Sequence, residues 1–395
     1  MKKNALISMT KIFSLMLLSI LILSSFTAVF SVVWASELVE DSWNTKTSMS
    51  QARYGLGAVA VDGKIYAIGG QTDAGDSYVG TNERYDPNKD TWTTRKAMPT
   101  ARSYFGIAAC QGKIYCIGGS NTEGSLYVNE VYDPATDRWS TKAPMPVNGA
   151  FNLQAHMVDD KIFVIASRLL YMYDPVTDSW TQKASLPKTV VQSDPYAYSA
   201  VVDNQIIVIT SDEGPEVLIY NSNTDVWSKG KTTGHHGFAI AVAVATSGRF
   251  APQKIYVLSS GPSMFFYPKG DVGVYDPLNG AWEQIKDPTP RARFGVAVLD
   301  DVLYVIGGVA LLGTEGDRET LSVNEQYVPI GYHGTGFPDT DSPIAYNLVL
   351  ICAIVGTVVA VAVAVLLLFF FKNKGKKEHP HNSFSKTTVL IQASF

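Results

Sequence analysis

The stretch KIYAIGG, Lys64–Gly70, decides the fold, because the chain repeats it. KIYCIGG follows at Lys113–Gly119, KIFVIAS at Lys161–Ser167, QIIVITS at Gln205–Ser211, KIYVLSS at Lys254–Ser260 and VLYVIGG at Val302–Gly308. Each is a short run of strand-forming apolar residues ending in two small ones. The copies recur at about 50 residues, a period that marks a repeat architecture. Working outward, a Tyr-Asp-Pro type turn and a Trp follow each of the first five copies: YDPNKDTW to Trp92, YDPATDRW to Trp139, YDPVTDSW to Trp180, YNSNTDVW to Trp227 and YDPLNGAW to Trp282. The sixth copy has Tyr327 in YVPIGY and no Trp after it, whereas Asp41-Ser42-Trp43 has an Asp-x-Trp and no copy before it. The pattern predicts that residues from about 41 to 49 form the outer strand of the sixth unit, beside the strand around Glu325–Val328. That pairing would close a ring and leave no sheet edge open.

The di-glycine, the spaced Tyr and Trp, and an Asn-Glu-x-Tyr-Asp-Pro core at Asn82 and Asn129 resemble the kelch repeat over residues from about 36 to 330. The resemblance implies an all-β, six-bladed kelch β-propeller closed by an N-terminal strand. It says little about activity, because one fold hosts many functions. In Asp-Pro-x-x-Asp the proline fixes φ and the carboxylates accept bonds from nearby amides, which gives a tight reversal. The Tyr and Trp rings are expected between neighbouring sheets, where a buried Trp removes ~150–250 Å² from water. Gly-Gly is expected where backbone passes too close to a neighbour for a Cβ.

The two ends read differently. Lys2, Lys3 and Lys11 precede an apolar run from Ile12 to Val33 and the small residues Ala35-Ser36, the order of a secretory signal. Residues 1–35 are therefore expected to be a signal peptide, with an uncleaved anchor as the alternative because the run is long. Residues 346–371 are expected to form one transmembrane helix: Leu348–Phe371 carries no charge, and at about 1.5 Å per residue it reaches roughly 36 Å. Lys372, Lys374, Lys376 and Lys377 follow it. The positive cluster predicts that the 372–395 tail is cytoplasmic and that the propeller and the 331–345 linker lie outside, in a single-pass cell-membrane protein.

The net charge of −4 and scattered basic residues argue against nucleic acid. Of the three cysteines, Cys110 and Cys116 flank a Gln111-Gly112 turn that places them on opposite faces, so both read as small core residues. Arg53, Arg102 and Arg291 recur at one repeat position on three contiguous units, each sixteen residues before its di-glycine, with Arg293 beside the last. Two readings of these arginines stand open: donors to a carboxylate ligand at one side of the channel mouth, or repeat consensus bonding carbonyls of the next blade. His235-His236 is the sole histidine pair in the exported region and joins the ligand-binding candidates. No metal spacing, nucleophile elbow or phosphate loop occurs, and no cofactor is implied. Kelch-like copper radical oxidases need a Tyr–Cys cross-link that neither Cys110 nor Cys116 is placed to make. The sequence thus reads as a surface-anchored module that binds a protein or glycan on its long-loop face. Its alternative is a sugar-acid (sialic acid-type) mutarotase or epimerase-like enzyme, which exported six-bladed kelch propellers resembling this one include.

Overall fold

The computed structural model describes residues 38–72, 77–147, 153–187, 198–210, 216–233, 241–259, 271–312 and 317–334. Residues 1–35, expected as a signal peptide, and the apolar 346–371 stretch lie outside them, as do His235 and His236. Among the described residues no helix is long and apolar enough to cross a membrane.

Six four-stranded antiparallel sheets surround a channel. Blade 1 runs outward from Gly57–Val61 through Lys64–Ile68 and Asn82–Asp86 to Thr91–Arg95. Blade 2 repeats this from Gly106–Cys110 to Arg138–Lys142, blade 3 from Gln154–Val158 to Ser179–Lys183, blade 4 from Tyr198–Val202 to Val226–Lys229, and blade 5 from Ala241–Ala245 to Trp282–Ile285. Blade 6 contains Gly295–Leu299, Val302–Ile306 and Asn324–Val328, and its outer strand is the N-terminal Ser42–Lys46. The register sets Trp43 opposite Tyr327 and Lys46 opposite Asn324, as the missing Trp predicts. Two-residue turns with both residues at positive φ join the two innermost strands, as at Asp62-Gly63, Gln111-Gly112, Asp203-Asn204 and Asp300-Asp301. This twist suits a tight hairpin and favours Asp, Asn and Gly.

The core is six inter-blade clusters, each with one Trp against it: Trp43, Trp92, Trp139, Trp180, Trp227 and Trp282. Burial differs from the sequence expectation. The fully buried ring is the Tyr, at 0–1 % exposure for Tyr85, Tyr132, Tyr173, Tyr220, Tyr275 and Tyr327, while the Trp of each blade is half-buried on the outer strand. The large burial gain, about 4–6 kcal/mol as an upper figure for ~150–250 Å² at ~25 cal/mol per Å², therefore belongs to the Tyr. The Trp stacks on that Tyr, its ring 4.9–5.1 Å away in all six blades, the closing pair included.

The Asp of each Asp-x-Trp explains why blades stay joined. Asp137 Oδ1 accepts the Tyr132 hydroxyl at 2.6 Å and the Lys96 amide at 2.9 Å, while Trp139 Nε1 donates to the Lys96 carbonyl at 2.8 Å. One residue leaving the previous blade thus has both backbone groups held. Thr47, Ala143 and Ala184 are gripped alike by Asp90 and Trp92, Asp178 and Trp180, and Asp225 and Trp227. These Asp residues sit at φ of 49–55°. Blade 5 has Gly280 there instead, and Tyr275 donates straight to the Lys231 carbonyl at 2.5 Å. The Ser247–Gln253 insertion of that blade is fastened by Asp301 of blade 6, whose buried carboxylate accepts the Ser247, Phe250 and Ala251 amides.

Cys110 and Cys116 are free and buried, and they enter different inter-blade clusters, as the hairpin register requires.

Candidate functional site

Strand polarity divides the propeller into two faces. The Asp-Gly and Asp-Pro turns lie on one, and on the other lie the segments after the small pairs and the blade-to-blade connections. Blades 6, 1 and 2 extend this second face with two-stranded ribbons: Val309–Leu312 with Asp317–Thr320, Gln71–Thr72 with Ser77–Tyr78, and Ser120–Asn121 with Gly124–Ser125. Gly261–Gly270 of the corresponding blade 5 insert lies outside the described residues.

The di-glycines build the base of each ribbon. Gly70 has φ 104°, a Cβ on it would lie 2.8 Å from the Tyr54 carbonyl, and its amide donates to the Arg102 carbonyl of the next blade at 2.9 Å. Gly308 does the same with Arg53 at 2.8 Å. Close backbone approach is therefore the reason for glycine here, and the neighbour it admits is the segment carrying the repeated arginine.

Those arginines point away from the channel. Arg53, Arg102 and Arg291 are 0–1 % exposed, and each pairs with the glutamate of an Asn-Glu on its own blade: Arg53 with Glu83 at 2.7 Å, Arg102 with Glu130 at 2.5 Å, and Arg291 with Glu325. Their other donors reach carbonyls of the same blade, Gly69 and Thr81, Cys116, and Val305, rather than those of the next. Each glutamate also accepts from the hydroxyl and amide of Ser50, Thr100 or Thr289 just before the arginine. Burial pulls the Arg53 and Arg291 pKa values down, and the paired carboxylates oppose it. So placed, the three guanidinium groups hold the channel-mouth loop to the third strand and line no part of the channel.

Arg293 is placed differently. It shares a repeat position with Gly55 and Tyr104, and all three have left-handed backbone, at φ 57°, 63° and 54°. The Gly55 amide donates to the Arg293 carbonyl at 2.7 Å and the Tyr104 amide to the Gly55 carbonyl at 3.0 Å, so this conformation forms an arc of hydrogen bonds around the mouth. For a residue with a Cβ it costs roughly 1–2 kcal/mol. The Arg293 guanidinium lies 5.7 Å from the Tyr54 ring and 5.8 Å from that of Tyr104. Burial pushes the Tyr104 hydroxyl up to about 12, with Arg293 working against it.

Below this arc the six inner strands enclose a cavity of about 480 Å³, open at its end. Its wall is mainly Ala and Val, with one polar patch on blades 3 and 4. Gln154 Oε1 accepts from the Ser199 amide, 2.6 Å away, and Ser199 Oγ lies 2.6 Å from both Gln154 Oε1 and His156 Nε2. Water touches His156 in the lumen, but protein encloses it, and that desolvation pulls its pKa down to about 4. The imidazole is neutral at pH 7. The patch escaped sequence reasoning because its members stand 45 and 43 residues apart on two strands. The one signal in the sequence was polarity on inner strands that elsewhere carry Gly, Ala, Val and Ile.

Six four-stranded sheets in a closed ring, with a lined channel and ribbons on one face, define the chain as a six-bladed β-propeller. Residues 52–99 and 101–146 match the Kelch motif, which places two family repeats on blades 1 and 2. These matches, with the same Tyr–Trp pair in all six blades, support a kelch-repeat propeller, a class that commonly serves as protein-interaction modules. No curated protein matches the chain.

Proposed function

We propose that this chain is a surface-anchored interaction module: an exported propeller, held by one helix over 346–371, that presents its ribbon-bearing face to a protein or glycan. The observation that carries the reading is where the chain enters and leaves the ring. The Asp41 amide donates to the Val328 carbonyl and the Gly331 amide to Glu40, so both ends of the propeller meet on the turn face. The described chain therefore leaves the ring, up to residue 334, on the face opposite the ribbons, which favours the ribbons as the binding face. Half-exposed Tyr127, at 44 %, stands on the ribbon side, and Val176, at 76 %, on the turn side.

The test places a photoreactive residue at 127 or at 176 in intact cells. The expected result is a discrete cross-linked partner from 127, absent from 176, and destruction of the propeller by added protease with the tail protected. The same adducts from both positions, or a protected propeller, would overturn the reading.

A further inference from the structure

We infer that the central channel is a binding site for a small uncharged molecule carrying one hydroxyl or N–H on a compact apolar body, the polar group donating to His156 and the body lying against the lumen wall. This goes beyond the partner-binding reading and does not depend on it. Three observations carry it. The cavity volume, about 480 Å³, falls in the range of small-molecule sites. Its wall leaves large apolar side chains wet: Met157 of blade 3 and Val242 of blade 5 line it at 45 % and 37 % exposure. The third observation is an acceptor on this wall, the second ring nitrogen of His156.

The hydrogen bonds of the patch fix the His156 tautomer. The Ser199 amide only donates, so the Gln154 atom 2.6 Å from it is the carbonyl oxygen Oε1. The Ser199 hydroxyl gives its single hydrogen to that same oxygen, since otherwise two oxygens 2.6 Å apart would have no hydrogen between them. Its 2.6 Å contact with His156 must then take a hydrogen from the ring: Nε2–H donates to Ser199 Oγ, and Nδ1 keeps its lone pair. Nδ1 has no hydrogen bond to any described residue, on a side chain that lines the lumen.

Chemistry narrows the ligand. A bare Nδ1 accepts, so it welcomes O–H or N–H, repels a carboxylate and offers an ether nothing. No carboxylate stands among the described residues lining the cavity, and Arg293 at its mouth already has a partner, so neither a cation nor an anion is offered a spare counter-charge by them. The desolvation that keeps His156 neutral also penalises a charged guest. An aliphatic wall gains by covering an apolar body and offers a polyol few partners for the hydroxyls it strips of water.

The experiment uses the full chain in lipid nanodiscs, titrated calorimetrically against empty discs with 2-naphthol, its methyl ether 2-methoxynaphthalene, and 2-naphthoate. The expected outcome is saturable 1:1 binding of 2-naphthol, with the ether and the carboxylate each weaker by about fivefold or more. His156→Phe, which removes the acceptor and keeps a ring, should bring the naphthol and its ether within about twofold of each other. Val242→Trp, which fills the lumen, should abolish binding of both and leave only the uptake that empty discs show. Should His156→Phe fail to fold, the contrast between naphthol and ether in the unaltered protein and the loss in Val242→Trp carry the test. Equal binding of naphthol and ether by the unaltered protein, tighter binding of the carboxylate, no saturable binding above that of empty discs, a folded His156→Phe protein that keeps the preference, or a folded Val242→Trp protein with unchanged affinity would each overturn the inference.

Discussion

Replacing Glu130 by Gln removes a buried countercharge with little change in shape. Arg102 and Glu130 are 0 % and 3 % exposed and 2.5 Å apart, and the guanidinium also donates to the Thr100 and Cys116 carbonyls at 2.9 and 2.8 Å. With the carboxylate neutralised, a fully buried charge keeps only neutral acceptors, a change that typically costs about 3–5 kcal/mol. Unfolding entropy near 2.1 cal/mol/K per residue over roughly 300 residues gives about 0.6 kcal/mol/K, so the melting temperature should fall by about 5–8 °C. Arg102→Met should cost a similar amount. The double variant should cost less than the sum by about 1–3 kcal/mol, because each single change strands the other partner. Calorimetric melting of the four proteins measures this cycle. A drop under about 2 °C for both single variants, or strict additivity, would refute the claim that the repeated arginines are frame rather than ligand donors.

Gly70→Ala should destabilise the ring by about 2–4 kcal/mol, since the new Cβ would meet the Tyr54 carbonyl at 2.8 Å in a backbone of φ 104°; a melting temperature within a degree of wild type would contradict this. Asp301→Ala should release the Ser247–Gln253 insertion, which carboxylate-bound amides hold, and hydrogen exchange at Phe250 and Ala251 should rise while distant blades keep their protection. Acidification should act in two windows. His156 has a folded pKa near 4 against an ordinary 6.5, so the folded state binds fewer protons and stability declines as pH falls from about 6.5 toward 4. Tyr132 and Tyr173 donate to Asp137 and Asp178 and hold those carboxyls below the usual range, so their contribution stands above about pH 4 and is lost as pH falls through the lowered values. Melting of His156→Gln should be flat across the first window and unchanged in the second.

The ring was legible because its signals are local and repeated. Six apolar runs fixed the blade number, and a Trp missing at one end and surplus at the other located the closing strand. Which ring was buried was not legible, because a Tyr and a Trp facing each other across two strands differ in depth only once the third strand is known to be central. The arginines were ambiguous for a physical reason: a guanidinium repeated from copy to copy looks the same whether it serves the frame or a ligand. The deciding signal lay some thirty residues on. Blades 1, 2 and 6 have Asn82-Glu83, Asn129-Glu130 and Asn324-Glu325, while blades 3 and 4, which lack the arginine, have Leu170-Tyr171 and Val217-Leu218 at the aligned register. Arginine and glutamate come and go together, as partners in a buried pair must. The channel patch stayed hidden because which inner-strand residues face the lumen is set by the tilt of each sheet, not by spacing.

Ring closure holds both the ribbon face and the channel in place, and it is tested most directly by cutting the closing strand and returning it in trans. A protein lacking residues 38–46 loses the outer strand of blade 6, the Trp43–Tyr327 stack at 5.0 Å and the bond from Trp43 Nε1 to the Lys286 carbonyl at 2.8 Å. Its melting should be broad or shifted far below that of a protein shortened by as many residues in the Val309–Leu312 and Asp317–Thr320 ribbon. A synthetic peptide of residues 38–49 should restore a cooperative transition, and the same peptide with Trp43→Ala should not. Equal melting of the two shortened proteins, or no response to the peptide, would contradict closure through the N-terminal strand.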